Sequence, residues 1–244
     1  MPRALDGKRI LVTGGTTGIG RATLKLLASE GARLLTFGRH EPELAEALDL
    51  ARAAGADVHG LTADAASRED LHRVFDAVDE RLGGLDILVV CAALGADPLH
   101  EMDEDAWRYV VDTNLVGCLA CSHAAIARMK RQGGGHLLLV SSISPHIKAP
   151  GESLYAATKA GIGAFAETVR KEVAEHNIRI SVVEPGSVGS DMQPCTPEEQ
   201  RAAIARHEML PAEQIAEAIL FVLTRPDSCD VLNLRIEPRL QKTA

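Results

Sequence analysis

The sequence predicts an α/β fold: a doubly wound, seven-stranded parallel sheet flanked by helices on both faces. Three observations predict it. Short β-branched or leucine-rich runs alternate with helix-length amphipathic stretches along the whole chain. A glycine-rich turn lies directly between the first apolar run and the first helical stretch. The 244 residues suffice for one substantial core, and no proline-, serine- or charge-rich linker divides them, so one domain spanning 1–244 is expected.

The expected strands are RILVT 9–13, RLLTF 33–37, DVHGL 57–61, DILVVC 86–91, HLLLVS 136–141, RISVVE 179–184 and VLNLRI 231–236. Between them, 3.6-residue periodicity predicts helices near 18–30, 41–54, 67–82, 103–130, 153–176 and 212–224, punctuated by Gly31, Gly55 and the Asn177 turn. Strand and helix in alternation imply right-handed crossovers between parallel strands. Ligands of such sheets bind beyond the carboxyl ends of the strands, where the strand order reverses. The segments that follow each strand are therefore the places to look for chemistry.

Composition narrows the function classes. Hydrophobic residues at 46% and charged residues at 25% are those of an ordinary globular protein. A net charge of −8 argues against a nucleic-acid binder, which needs a basic face to displace counterions from phosphates. The start, MPRALDGKRI, lacks a secretory apolar core, and no apolar run approaches the roughly 20 residues of a membrane helix, so a soluble cytoplasmic protein is expected. Five scattered cysteines read as reduced core thiols. Cys118 and Cys121 form a Cys-x-x-Cys inside an apolar-periodic helix, a setting for packing and not for redox work. No second such pair and no His-Glu-x-x-His occurs, so no metal site is expected.

After the first strand comes TGGTTGIG, Thr13 to Gly20. Gly14, Gly18 and Gly20 permit a tight turn and close backbone approach, and the helix that follows offers free N–H groups to a pyrophosphate. The second strand ends TFGRH. Folds that select NAD place a carboxylate about 20 residues beyond the glycines, to hold the adenosine ribose. Gly38, Arg39 and His40 stand there instead, and the planar fork of Arg39 suits a 2′-phosphate. NADP is the expected cofactor, with NAD as the runner-up.

Further along, LTAD places Asp64 and Ala65 after the third strand, and DILVVCAALG places Ala92 and Ala93 after the fourth. DTNLVG contains Asn114, LLLVSSIS supplies Ser142, SLYAATKAG supplies Tyr155 and Lys159, and VVEPGSVGSDM supplies Pro185, Gly186, Val188 and Ser190. In this order, with Ser142 thirteen residues before Tyr155, the motifs resemble those of the short-chain dehydrogenase/reductase family across nearly the whole chain. The resemblance implies a Rossmann-type sheet and contacts to a dinucleotide from Gly14, Thr16, Thr17, Gly18, Ile19 and Gly20. It also implies adenine contact at Asp64, a proline-glycine segment closing over nicotinamide, and a water held by Asn114 that links Lys159 to solvent.

The residues carry a chemical argument of their own. Carbonyl reduction needs a hydride from one side, a proton from the other, and donors at the oxygen where charge develops. Tyr155 can give the proton and Ser142 can hydrogen-bond the same oxygen. A phenol serves near neutral pH only where something stabilises the phenolate. A lysine four residues on shares its helix face, and at about 4 Å and an effective dielectric near 20 one cation contributes about 4 kcal/mol. Asn114, Ser142, Tyr155 and Lys159 together favour an enzyme acting on a small carbonyl or alcohol over a dinucleotide-binding sensor, which needs no such set.

Departures from the family pattern lie after the fourth strand and at the end. Cys91-Ala92-Ala93 replaces the usual Asn-Ala-Gly, removing an amide that braces the central strands in relatives. The tail LRIEPRLQKTA is similar to a branch that oxidises serine and small 3-hydroxy acids with NADP. Substrate identity is expected from 94–100, 143–150 and a lid around 187–210, where His146, Lys148 and Arg206 are candidates to meet a carboxylate. Trp107 is read as a core anchor. Two long amphipathic helices, 103–130 and 153–176, predict a homodimer or homotetramer.

Overall fold

The computed structural model describes residues 5–241. Seven strands, β1 Arg9–Thr13, β2 Arg33–Gly38, β3 Val58–Thr62, β4 Ile87–Val90, β5 Gly135–Val140, β6 Ile178–Pro185 and β7 Asn233–Ile236, form one sheet in the order β3-β2-β1-β4-β5-β6-β7. Every neighbouring pair is parallel. Strand order reverses between β1 and β4, so their carboxyl ends open the crevice that a doubly wound sheet offers to ligands.

Helices α1 Gly18–Ser29, α2 Glu41–Ala53, α3 Arg68–Ala77, α4 Glu104–Val111, α5 Gly117–Gln132, α6 Ser144–Ile147, α7 Ser153–Val173, α8 Pro197–Ala205 and α9 Ala212–Leu223 make the crossovers and loops. Alternation along the strands divides the core in two. Leu11, Leu35, Leu88, Leu137 and Ile180 pack under α3, α5 and α7 through Val74, Cys121, Met129 and Val169. Ile10, Val12, Leu34, Val89 and Leu138 face the other way, against Leu24 and Leu27 of α1, Ala47 of α2 and Ile219 of α9. Both faces of each central strand are thus covered, which is why those runs are almost wholly apolar.

The long helix expected over 103–130 is two α-helices joined by a π-helical stretch, Asp112–Val116. Such bulges cluster at functional sites because the extra residue turns side chains and carbonyls out of the α register. Asp103 caps the N-terminus, accepting from the Ala106 N–H at 2.8 Å. The rod Glu104–Gln132 is long and apolar enough by composition to cross a bilayer. However, Cys118, Cys121, Ala125 and Met129 on one of its faces are packed in the sheet core. Trp107 departs from expectation: it is half-buried, with the Arg108 guanidinium 4.6 Å from its ring centroid, so it anchors the surface of α4 and not the core. The short α6 was not foreseen, since four residues are too few to show a helical period.

Candidate active site

The glycine turn is built by contact. Gly14 has φ +65° and packs so tightly on the segment after β4 that a Cβ there would come within 2.7 Å of the Ala92 Cα. The turn leads into α1, whose first turn carries no acidic residue and whose N-cap, Thr17, makes no side-chain cap. Thr17, Gly18, Ile19 and Gly20 at this helix start line the crevice, and no N-cap side chain competes there with an anion. Arg21 braces the turn, donating from Nε to the Thr16 carbonyl at 2.5 Å while pairing with Glu46 of α2 at 3.0 Å.

The segment around Cys91 is braced by Thr13. Its Oγ1 accepts from the Cys91 N–H at 3.2 Å and the Ala92 N–H at 3.1 Å, tying the end of β1 to the segment after β4. Cys91 lines the crevice, and burial pushes its thiol up to about 12 although the Lys159 charge pulls the other way, which disfavours the thiolate. Burial likewise raises Cys118 to about 11, and raises Cys121, in agreement with their reading as packing residues.

On the other side of the crevice, α7 is stitched to β5. Lys159, 3% exposed, donates from Nζ to the Val140 carbonyl at 2.9 Å, and Ser141 Oγ donates to the Lys159 carbonyl at 3.0 Å. These bonds set the Lys159 ammonium 5.5 Å from the centroid of the half-buried Tyr155 ring. Ser142 follows Ser141 at the same strand end. Its Oγ accepts from the Ser144 N–H and is bonded to Ser144 Oγ, both at 3.1 Å, which fixes the rotamer of Ser142.

Asn114 occupies the π-helical stretch and is 1% exposed. Its Oδ1 accepts from the Leu94 N–H at 2.7 Å and its Nδ2 donates to the Leu94 carbonyl at 2.8 Å. The amide thus pins the loop after β4. Asn114 does not itself line the crevice, whereas its neighbour Thr113 does.

Together these walls enclose a cleft of about 560 Å³, lined by every residue expected to meet a dinucleotide, from Gly14 through Arg39, Asp64 and Ala92 to Ser190, and by Ser142, Tyr155 and Lys159. At its outer end Arg39 donates from Nη1 to the Tyr109 hydroxyl at 2.8 Å, and that hydroxyl donates to Asp64 Oδ2 at 2.5 Å. Burial and the Asp64 carboxylate raise the Tyr109 phenol above its ordinary value. Phe37, Glu43, Thr113 and Met192 also line the cleft and were not expected there: Phe37, Thr113 and Met192 neighbour residues that the motifs single out, and Glu43 belongs to no motif. His146, Lys148 and Arg206 do not line the cleft: His146 Nε2 bonds Glu184 Oε2 at 3.1 Å, and Arg206 pairs with Glu208 at 2.9 Å.

The cleft suits a dinucleotide on its own evidence. Two buried side-chain oxygens in its wall, Glu43 Oε2 and Thr113 Oγ1, lack hydrogen-bond partners among the described residues, and the α1 N-terminus is open to an anion. A ligand carrying ribose hydroxyls and phosphates supplies what these groups lack.

Comparison with known proteins agrees. Residues 8–201 match the family model described as short chain dehydrogenase. A farnesol dehydrogenase of Aedes aegypti is 33% identical over 241 residues, covering 95% of this chain and 96% of that protein. An uncharacterised oxidoreductase of Staphylococcus aureus (strain N315) is 28% identical over 235 residues, covering 96% and 98%. Among solved structures, an alcohol dehydrogenase from Thermococcus sibiricus complexed with 5-hydroxy-NADP is 27% identical, with a TM-score of 0.85 over 96% of this chain and 98% of that one. An actinorhodin polyketide ketoreductase solved with NADPH is 26% identical, with a TM-score of 0.85 over 96% and 97%. Sheet order, cleft and sequence relationship converge, and the chain belongs to the short-chain dehydrogenase/reductase family of NAD(P)-binding oxidoreductases.

Proposed function

We propose that this protein is an NADP(H)-dependent oxidoreductase that interconverts a small carbonyl compound and its secondary alcohol, with Tyr155 as general acid and base. The observation that carries the reading is the convergence of Tyr155, Ser142 and Lys159 on the cleft, with α7 fastened to the end of β5 by Lys159 and Ser141. The bound dinucleotide supplies or accepts the hydride. Tyr155 donates its phenolic proton to the carbonyl oxygen in reduction and recovers one in oxidation. Ser142, held by Ser144, hydrogen-bonds the same oxygen as its charge grows. Lys159 keeps two N–H donors beyond the one given to Val140 and holds a ribose hydroxyl with them. Asn114 keeps the Leu94 loop in place, and a water beside it passes protons from Lys159 to solvent.

Arg39 supports NADP over NAD, as do the two structural relatives solved with NADPH and a 5-hydroxy-NADP. We read the chain as one cytoplasmic domain with a lid over 187–210, associating as a homodimer or homotetramer through α4, α5 and α7; Val116, 48% exposed, lies on that surface. The test is a panel of ketones, 3-oxo acids and alcohols followed by nicotinamide absorbance with each cofactor. Higher kcat/KM with NADH than NADPH overturns the cofactor preference, and Tyr155→Phe with unchanged kcat overturns the proposed acid.

A further inference from the structure

Arg39 is not the only charge at the outer end of the cleft. Glu43, on the first turn of α2, lines the same cleft as Arg39 and His40, and its Oε2 is shut from solvent with no hydrogen-bond partner among the described residues. His40 is the N-cap of α2 and Glu43 stands three residues on, so the two side chains share a helix face over the cleft. Neighbouring charges are otherwise engaged. Glu46 pairs with Arg21, and Arg39 is drawn toward α4 by the Tyr109 hydroxyl. Thus Glu43 is left with an acceptor oxygen that no group in the described residues fills.

We propose that Glu43 is a specificity-determining residue for the adenosine half of the cofactor, opposing Arg39. The proposal rests on the reading that the cleft holds a nicotinamide dinucleotide. A carboxylate with an unfilled lone pair accepts from a ribose hydroxyl, the interaction by which acidic residues select NAD. The same carboxylate repels a 2′-phosphate that Arg39 attracts. The preference for NADP is therefore set by the balance of two side chains on the β2–α2 connection, and Glu43 holds it below what Arg39 alone would give.

The test is direct titration of wild type, Glu43→Gln and Glu43→Ala with NADPH and NADH, read by the fluorescence of the reduced nicotinamide, which needs no turnover. Glutamine keeps the shape and loses the charge. Each variant is expected to shift the ratio of NADPH to NADH affinity roughly tenfold toward NADPH, with NADH binding unchanged or weaker. A ratio within twofold of wild type in both variants overturns the role of Glu43. Wild type binding NADH the more tightly overturns the NADP preference alone, since the direction of the shift still judges Glu43. Binding of neither dinucleotide by the folded wild type overturns both.

Discussion

Lys159 Nζ donates to the Val140 carbonyl at 2.9 Å, and no carboxylate lies within ion-pair distance of it among the described residues. A cation this deeply buried without a counter-charge lowers stability, because the cost of desolvation is offset only by dipoles. Its retention at the cleft fits a functional demand. Lys159→Met keeps the aliphatic stem and removes the charge. We expect kcat to fall by about 10²-fold or more while the melting temperature stays level or rises. Steady-state kinetics beside a thermal melt checks this, and loss of stability with intact kcat would contradict it.

Thr13 ties the end of β1 to the segment after β4. Thr13→Val removes Oγ1, leaving the Cys91 N–H with the Thr13 carbonyl at 3.2 Å and the Ala92 N–H with no partner among the described residues. One orphaned amide costs about 1–3 kcal/mol. Urea unfolding should place Thr13→Val lower by about that amount, with Thr13→Ser close to wild type. Equal stability of the two variants would remove the bracing role.

The glycine turn, the Tyr155–Lys159 spacing and the alternating elements were legible because each is a local pattern: a backbone that must approach a ligand, a four-residue helical offset, an apolar period. Glu43 and Thr113 in the cleft wall, and Tyr109 bonded to Asp64 beside it, were not legible, since their places depend on α2, α4 and the π-helical stretch meeting the sheet end from distant parts of the chain. The missing carboxylate after β2 was read correctly at the strand tip, yet the helix that follows returns one to the cleft as Glu43. The π-helical stretch around Asn114 was hidden for another reason. One inserted residue leaves an apolar pattern on both sides that still reads as a single helix.

His136 predicts a pH dependence of stability far from the cleft. It is 4% exposed at the start of β5, with Nε2 bonded to Ser181 Oγ at 2.9 Å and Nδ1 without a partner among the described residues. Burial, and then the Arg179 charge, push it down to about 3. The unfolded chain binds a proton near pH 6.5 that the folded one refuses, so stability is fully present above that pH and declines as pH falls toward 3. The accumulated loss is on the order of 4 kcal/mol at the low end of that window. Melts of His136→Gln between pH 7 and pH 4 should fall less steeply than those of wild type. Parallel slopes would show that His136 is not the titrating group.

None of the side chains expected to receive a substrate carboxylate lines the cleft, and this predicts the charge of the substrate. His146 is bonded to Glu184, Arg206 is paired with Glu208, and neither lines the cleft; nor does Lys148. The cleft lining instead includes Leu94, Met192 and the carboxylate of Asp191. An anionic 3-oxo acid that lies against these residues would meet the Asp191 carboxylate, whereas an uncharged ketone buries apolar surface on Leu94 and Met192. At matched chain length we expect kcat/KM for the ketone to exceed that for the 3-oxo acid by about tenfold or more. Asp191→Asn should narrow the gap by raising the rate on the acid while leaving the ketone unchanged. The reverse order in wild type would mean that a basic side chain outside this lining reaches the substrate, and would return this chain to the hydroxy-acid branch that its tail resembles.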